Sequence, residues 1–179
     1  MTCIVGLIDD GHVYIGGDSA GVAGLDIYRR KDEKVFKIRN EFIMGFTTSF
    51  RMGQLLRYSF EPTKIHQDTG IFEYMVTEFV EEVRKSFKRG GFLEKDKETE
   101  SGGTFLVGFK GRLFRIEGDF QVGEVHHSFE ACGCGQGFAL GAMFSNGHIK
   151  DPEKRIINAL EAAQEFSAGV REPFIVEKL

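Results

Sequence analysis

Two short apolar runs open the chain. Cys3-Ile-Val-Gly-Leu-Ile8 and Val13-Tyr-Ile-Gly-Gly17 flank Asp9-Asp-Gly-His12. An Asp-Gly pair between β-rich runs predicts a tight hairpin. The first run is apolar at consecutive positions, which predicts a central strand buried on both faces. A stretch with Gly21, Gly24 and Asp26 reads as a loop. Lys34-Val-Phe-Lys-Ile38 and Phe42-Ile-Met-Gly-Phe46, joined by Arg39-Asn40-Glu41, predict a second hairpin. Helical spacing begins after Ser49. Its clearest stretch is residues 71–87, with Phe72, Met75, Val76, Phe79, Val80, Val83 and Phe87 forming an apolar stripe. Glu73, Glu78, Glu81, Glu82, Arg84 and Lys85 fall on the opposite side, and Gly90-Gly91 ends the helix.

The second half repeats the alternation. Residues 94–103 are charged and glycine-containing, and read as an exposed loop. Residues 104–109 and 112–116, around Lys110-Gly111, predict a third hairpin, with more strand reaching Cys132. Gly133, Gly135 and Gly137 lead into a short helix over 138–144. Asp151-Pro152-Glu153 supplies an N-cap, a first-turn proline and a first-turn acid. It starts a helix with Ile156, Ile157, Leu160, Ala163 and Phe166 inward. Residues 173–176 form a last strand. Helices arrive in pairs rather than between every strand, which argues for antiparallel sheets with helices packed outside them.

Composition narrows the class. The 179 residues are 41% hydrophobic and 28% charged, as expected of one globular domain spanning residues 1–179. Eighteen Phe stand against four Tyr and no Trp, which favours a dry core with few buried polar handles. A net charge of -4 gives no support to a nucleic-acid or anionic-membrane partner. Three cysteines do not make a disulfide framework and suit a reducing compartment. The first apolar run is too short to span a membrane and has no basic segment before it. The expected location is cytoplasmic.

Thr2 follows the initiator methionine. Removal of Met1 places a free α-amine on the residue that carries a hydroxyl. An α-amine titrates near 7.7–8.0, so it can accept the hydroxyl proton, which makes an N-terminal Thr a nucleophile with its own base. Thr2 leads directly into the buried first strand. Gly16-Gly17-Asp18-Ser19-Ala20 puts an acid at the end of the returning strand, and Lys34 opens Lys34-Val-Phe-Lys-Ile38. Read alone, Asp18 and Lys34 make an ordinary ion pair at a strand end.

Together, these positions resemble the proteasome β-subunit family and its HslV-type peptidases. Thr2, Asp18 and Lys34 fall at the family's spacing without a gap, and the element order matches over most of the chain. The resemblance implies an α+β fold, the N-terminal-nucleophile hydrolase fold: a four-layer αββα sandwich of two antiparallel sheets flanked by helices. It implies a threonine peptidase acting on unfolded polypeptides, with Thr2 as nucleophile, its amine as base, Lys34 as the neighbouring cation and Asp18 orienting Lys34. It also implies a homo-oligomeric ring, with an ATP-dependent unfoldase as an optional partner. No cofactor or metal is expected. The Cys132-Gly-Cys134 spacing near His126-His127 is wrong for structural zinc, and the glycines at 133, 135 and 137 suit tight packing better than phosphate binding.

The chain departs from the family pattern in three places. Thr47-Thr48-Ser49 stands where the family has Ala-Gly-Gly, so a backbone N–H of Thr48 or Ser49 is the expected oxyanion donor. Cys134 replaces a serine near the nucleophile, and a thiol is the weaker hydrogen-bonding group. Gln164 replaces an aspartate three residues before Ser167. These departures keep two alternatives open: a non-catalytic ring subunit of the same family, and an N-terminal-nucleophile amidase acting on small molecules. Phe60 and Phe92, off the main helical stripe, are read as surface for ring assembly.

Overall fold

Three hairpin turns set the ends of the strands. In the computed structural model, which describes residues 1–179, β1 (Cys3–Asp9) turns back into β2 (His12–Gly17). Asp10 and Gly11 both take positive φ, 46° and 75°, as a hairpin turn twisted to match its strands requires. After β3 (Ala20–Ala23) and β4 (Asp26–Arg29), β5 (Val35–Ile38) and β6 (Phe42–Phe46) close through Arg39 and Asn40 in the same way. The helices α1 (Phe50–Tyr58), α2 (Ile71–Tyr74) and α3 (Val80–Arg89) follow. Beyond the small hairpin β7 (Glu94–Asp96) and β8 (Thr99–Ser101), β9 (Phe105–Phe109) and β10 (Arg112–Ile116) close through Lys110 and Gly111. The chain ends with β11 (Val122–Glu124), β12 (Phe129–Gly133), α4 (Gln136–Ser145), α5 (Pro152–Phe166) and β13 (Ile175–Lys178).

The strands form two main antiparallel sheets. One has the order β12-β1-β2-β13 and the other β11-β10-β9-β6-β5. Strand alternation explains how they stack. In β1, Cys3, Val5 and Leu7 pack with Ile156, Leu160 and Ala163 of α5, while Ile4 points the other way to meet Val35, Ile43 and Leu106. In β6 and β9, Phe42, Met44, Phe105 and Val107 face α1 and α3. Three apolar layers therefore separate helices, sheet, sheet and helices, which is the four-layer αββα arrangement expected from the sequence. Continuous apolar runs such as β1 and β6 follow from burial on both faces.

The layers differ in texture. Every buried Phe belongs to the layer between the five-stranded sheet and α1–α3. There Phe42 stacks on Phe109 at 4.3 Å, and Phe60 meets Phe79 edge-on at 5.2 Å. Between the sheets the packing is close enough to require glycine. A Cβ on Gly6 would lie 2.8 Å from Leu113, and one on Gly45 would lie 2.7 Å from Ile15. Rigid β-branched contacts across this narrow layer hold the two sheets in one register.

Several local expectations are corrected. Residues 20–29, read as a loop, pair as β3 and β4, with the Tyr28 ring lying over Gly21 across the strands. That cross-strand cover is a contact that local glycine content hides. Residues 94–101 also pair as a hairpin, though an exposed one. The long helix contains a π-helical turn, Met75–Phe79, between α2 and α3. Its extra residue rotates the buried face, so Tyr74 enters the core while Phe72 and Val76 are exposed. Phe166 is exposed because the α5 stripe runs through Ile156, Ala159, Leu160 and Ala163 and reaches Ser167 next. Phe60 is buried and Phe92 packs against the same core, so neither supplies assembly surface. No helix is long and apolar enough to cross a membrane.

Candidate active site

The hairpin turns lie at one end of the strands, so the opposite ends converge. Thr2 precedes β1, Asp18 follows β2, Lys34 precedes β5, Thr47 follows β6, Thr104 precedes β9 and Cys134 follows β12. Six separated positions meet because each lies at the strand end opposite the hairpin turns.

Thr2, Asp18 and Lys34 are 5%, 2% and 2% exposed. The Lys34 Nζ donates to Thr2 Oγ1 at 2.7 Å and to Asp18 Oδ1 at 2.8 Å. The Asp18 carboxylate also accepts the backbone N–H groups of Cys3 at 3.0 Å, Ala20 at 2.9 Å and Arg171 at 3.4 Å. Four donors fix this anion, and the anion in turn aims the lysine. Burial holds the Lys34 ammonium below the ordinary lysine pKa, and Asp18 opposes that shift. Lys34 thus gives up a proton more readily than a solvated lysine while staying pinned against the Thr2 hydroxyl.

The Thr2 hydroxyl donates to the Met1 carbonyl at 2.5 Å. The Thr2 N–H donates to Cys134 Sγ at 3.3 Å, and Ser167 Oγ lies 3.3 Å from the same sulfur. Cys134 and Ser167 therefore sit on the nitrogen side of Thr2, and Lys34 on the oxygen side. Gly133, at φ 101°, passes so close to the Thr2 carbonyl that any Cβ would collide with it. A Cβ on Gly135 would lie 2.9 Å from that of Cys3. Gly133 and Gly135 thus pack against the start of β1 as expected, whereas Gly137, in the first turn of α4, faces open space and packs on nothing. The Cys3 and Cys132 thiols are buried, and burial drives both pKa values well above the usual thiol range.

Thr48 and Ser49 separate in the structure. The Ser49 N–H is taken by the Thr47 carbonyl at 2.6 Å, and its side chain caps α1 by accepting from Arg51 N at 3.1 Å. The Thr48 N–H has no acceptor in the protein. Thr48 stands at φ 60°, a strained conformation for a β-branched residue. It is held by Thr104, whose N–H donates to Thr48 Oγ1 at 3.2 Å and whose carbonyl accepts from Thr47 Oγ1 at 2.7 Å. Thr2, Lys34 and Thr48 line one cleft of about 60 Å³.

Gln164 is not brought to Thr2. Its Oε1 accepts from Glu172 N at 2.7 Å and its carbonyl from Arg171 Nη1 at 3.2 Å. It anchors the segment whose Arg171 N–H reaches Asp18. Sequence reasoning missed Arg171 and Thr104 because their parts are played by backbone groups, which leave no mark in residue type.

Two antiparallel sheets between helix pairs, with the first residues of the chain at the open end, make the N-terminal-nucleophile hydrolase fold of the proteasome-like proteins. No family model matches the sequence, and no curated protein does; solved structures do. BPH from Thiobacillus denitrificans, in complex with Epoxomicin, is similar at TM-score 0.79 and 19% identity, over 99% of this chain and 98% of its own. HslV from Trypanosoma brucei is similar at TM-score 0.69 and 19% identity, over 99% of each chain. Anbu from Hyphomicrobium is similar at TM-score 0.68 and 16% identity, over 98% of this chain and 80% of its own. These similarities establish the fold.

Proposed function

We propose that the chain is a threonine-type peptidase subunit that hydrolyses unfolded polypeptides once Met1 is removed. The observation that carries this reading is the Lys34 Nζ, held 2.7 Å from Thr2 Oγ1 and 2.8 Å from Asp18. In the processed chain the Thr2 amine takes the proton from Thr2 Oγ as that oxygen attacks the scissile carbonyl. Lys34 stabilises the charge that develops around the nucleophile. The unpartnered Thr48 N–H receives the oxyanion. Collapse of the tetrahedral intermediate expels the leaving amine, which collects its proton from the Thr2 ammonium. Water then attacks the threonyl ester, using the same amine as base, and frees the acid product.

Residues 1–179 act as one domain, and copies assemble into a homo-oligomeric ring that confines the substrate. An ATP-dependent unfoldase is a fitting partner for such a chamber. The exposed Phe72, Phe138, Phe144 and Phe166 support assembly, being apolar surface that a lone subunit leaves in water. Hydrolysis of an unfolded protein by the Met1-processed chain and by Thr2→Ala is the test. Processed protein should be active and Thr2→Ala inert; equal turnover by both refutes the reading. Epoxomicin, the molecule in the BPH complex, gives a second measurement: an adduct on the Thr2 peptide is expected, and none on Thr2→Ala.

A non-catalytic ring subunit is the competing reading. One observation favours it: Gln164, standing where the family has an aspartate, turns its side chain to Glu172 N and brings no carboxylate to Thr2. Intact mass of natively expressed protein separates the two. Loss of Met1 supports the enzyme, and its retention supports the scaffold.

A further inference from the structure

Two small cavities lie on either side of a pair of aromatic rings. The cleft at Thr2, about 60 Å³, has Phe46 and Phe50 in its lining, together with Val22 and Tyr28. A second space of about 20 Å³, lined by Asp32, Glu33, Gln54 and Tyr58, has the same two phenylalanines as its near wall. The rings meet edge-on, 5.8 Å apart at 81°. Both rings are packed from behind. Phe46 is 4% exposed and lies directly on α1, where a Cβ on Gly53 would enter its ring. Phe50 is covered by the Arg30 guanidinium, 4.0 Å from its centroid, and Arg30 is itself held by both oxygens of Asp32.

Resting on the reading of Thr2 as nucleophile, we propose that Phe46 and Phe50 act as a closed gate behind the cleft, so that the residue whose carbonyl Thr2 attacks must carry a small, uncharged side chain such as Gly, Ala or Ser. Volume sets the size limit. A cleft of about 60 Å³ holds a methyl or hydroxymethyl group, whereas a leucyl or aromatic side chain needs the space beyond the rings. Charge sets the second limit. The acids behind the gate are already paired, Asp32 with Arg30 and Glu33 with Arg57 at 3.9 Å, and Lys34 is committed to Asp18. A charged side chain entering here would lose water and find no free partner. Met1 also lines the cleft, but it packs towards Gly169, so its removal widens the mouth and leaves the Phe46–Phe50 wall standing.

Phe50 is the specificity-determining position, because it is partly exposed at the start of α1 while Phe46 belongs to the core. Peptidyl-aminomethylcoumarins carrying Ala, Leu, Phe or Arg before the scissile bond test this on the processed protein and on Phe50→Ala. A pocket that excludes a few methylenes discriminates by about tenfold or more. The processed protein should prefer Ala over Leu and Phe by at least about that factor. Phe50→Ala should lower KM for Leu and Phe and reverse the ratio. Phe50→Val, a gentler truncation, should move it part of the way, and thermal melts confirm that both variants are folded. A bulky preference in the parent, or an unchanged ratio in a folded Phe50→Ala, overturns the gate. Binding separates this failure from failure of the enzyme reading. With Thr2→Ala, peptide acids ending in Ala should bind about tenfold tighter than those ending in Phe, and Phe50→Ala in that background should remove the difference. If no Thr2-dependent hydrolysis occurs yet this binding difference appears, the enzyme reading falls and the gate stands. Equal binding of both peptide acids refutes the gate whatever the turnover.

Discussion

At one end of the sandwich the strands close through Asp10-Gly11, Arg39-Asn40 and Lys110-Gly111; at the other they open onto Thr2, Asp18, Lys34 and Thr48. Both ends contain residues at positive φ, but for different reasons. At the turn end the left-handed conformation is the ordinary requirement of a tight hairpin; Asp10, Asn40 and the glycines meet it cheaply, and Arg39 and Lys110 adopt it with exposed side chains that are not β-branched. At the open end a threonine takes it at φ 60°, fastened to Thr104 through its own hydroxyl and that of Thr47. The turn end buries no charge. The open end buries a lysine and a carboxylate against each other. Strain and desolvated charge collect where the strands converge, because only there does surrounding structure over-determine the backbone enough to hold them.

Lys34→Met should break the contrast most severely. It leaves the Asp18 carboxylate buried without its cation, which costs about 3–5 kcal/mol, and it should abolish hydrolysis; denaturant unfolding and a peptidase assay read the two effects. The same residue gives a pH signature. Because burial lowers the Lys34 pKa, the unfolded chain binds more protons than the folded one between that lowered value and about 10.4. The Lys34 contribution to the unfolding free energy should therefore rise with pH through this window, and fall as pH drops through the lowered pKa. The Cys3 and Cys132 thiols and Tyr74, all raised by burial, pull the opposite way at alkaline pH, so the readout is the parent curve minus that of Lys34→Met. This difference should rise with pH, and a flat or falling difference would contradict the buried cation.

Gly111→Ala probes the other end. The new Cβ meets positive φ and would lie 2.9 Å from the Gly11 carbonyl oxygen, so a loss of roughly 1–2 kcal/mol is expected. Thermal unfolding should show it, with kcat/KM unchanged once the chain is folded. A large loss of activity would mean that the two ends are coupled.

Thr47→Val is nearly isosteric and removes the hydroxyl's hydrogen bonds to the Thr104 carbonyl and to Thr48 Oγ1. Stability should fall by about 1 kcal/mol. Looser placement of the Thr48 N–H should lower kcat about tenfold with little change in KM, as expected when an oxyanion donor is displaced. The smallest effect belongs to Cys134→Ser. A hydroxyl can replace the sulfur between Thr2 and Ser167, so activity should change only a few-fold, with the pH optimum as the sensitive readout of how the Thr2 amine is tuned.

Much of this was legible in the chain itself. The three hairpins announce themselves through turn residues between apolar runs, and the candidate site was marked by Thr2, Asp18 and Lys34 at three strand termini. The choice between Thr48 and Ser49 was not legible, because it depends on which N–H the Thr47 carbonyl already occupies. The family resemblance put Gln164 at the site, in the place of an aspartate, but its side chain turns to Glu172. The helical stripe at 71–87 was read one register too simply, since a π-helical turn rotates the face without changing the composition.

Local sequence by itself determined the strands of the two main sheets, the turns at one end and the helix pairs, because apolar periodicity and turn chemistry act over a few residues. Tertiary structure alone decided which groups touch the Thr2 hydroxyl, which backbone N–H faces the cleft and how far the cleft extends behind Phe46 and Phe50. Those outcomes depend on contacts between strand ends distant in the chain, where burial fixes partners that no local pattern encodes.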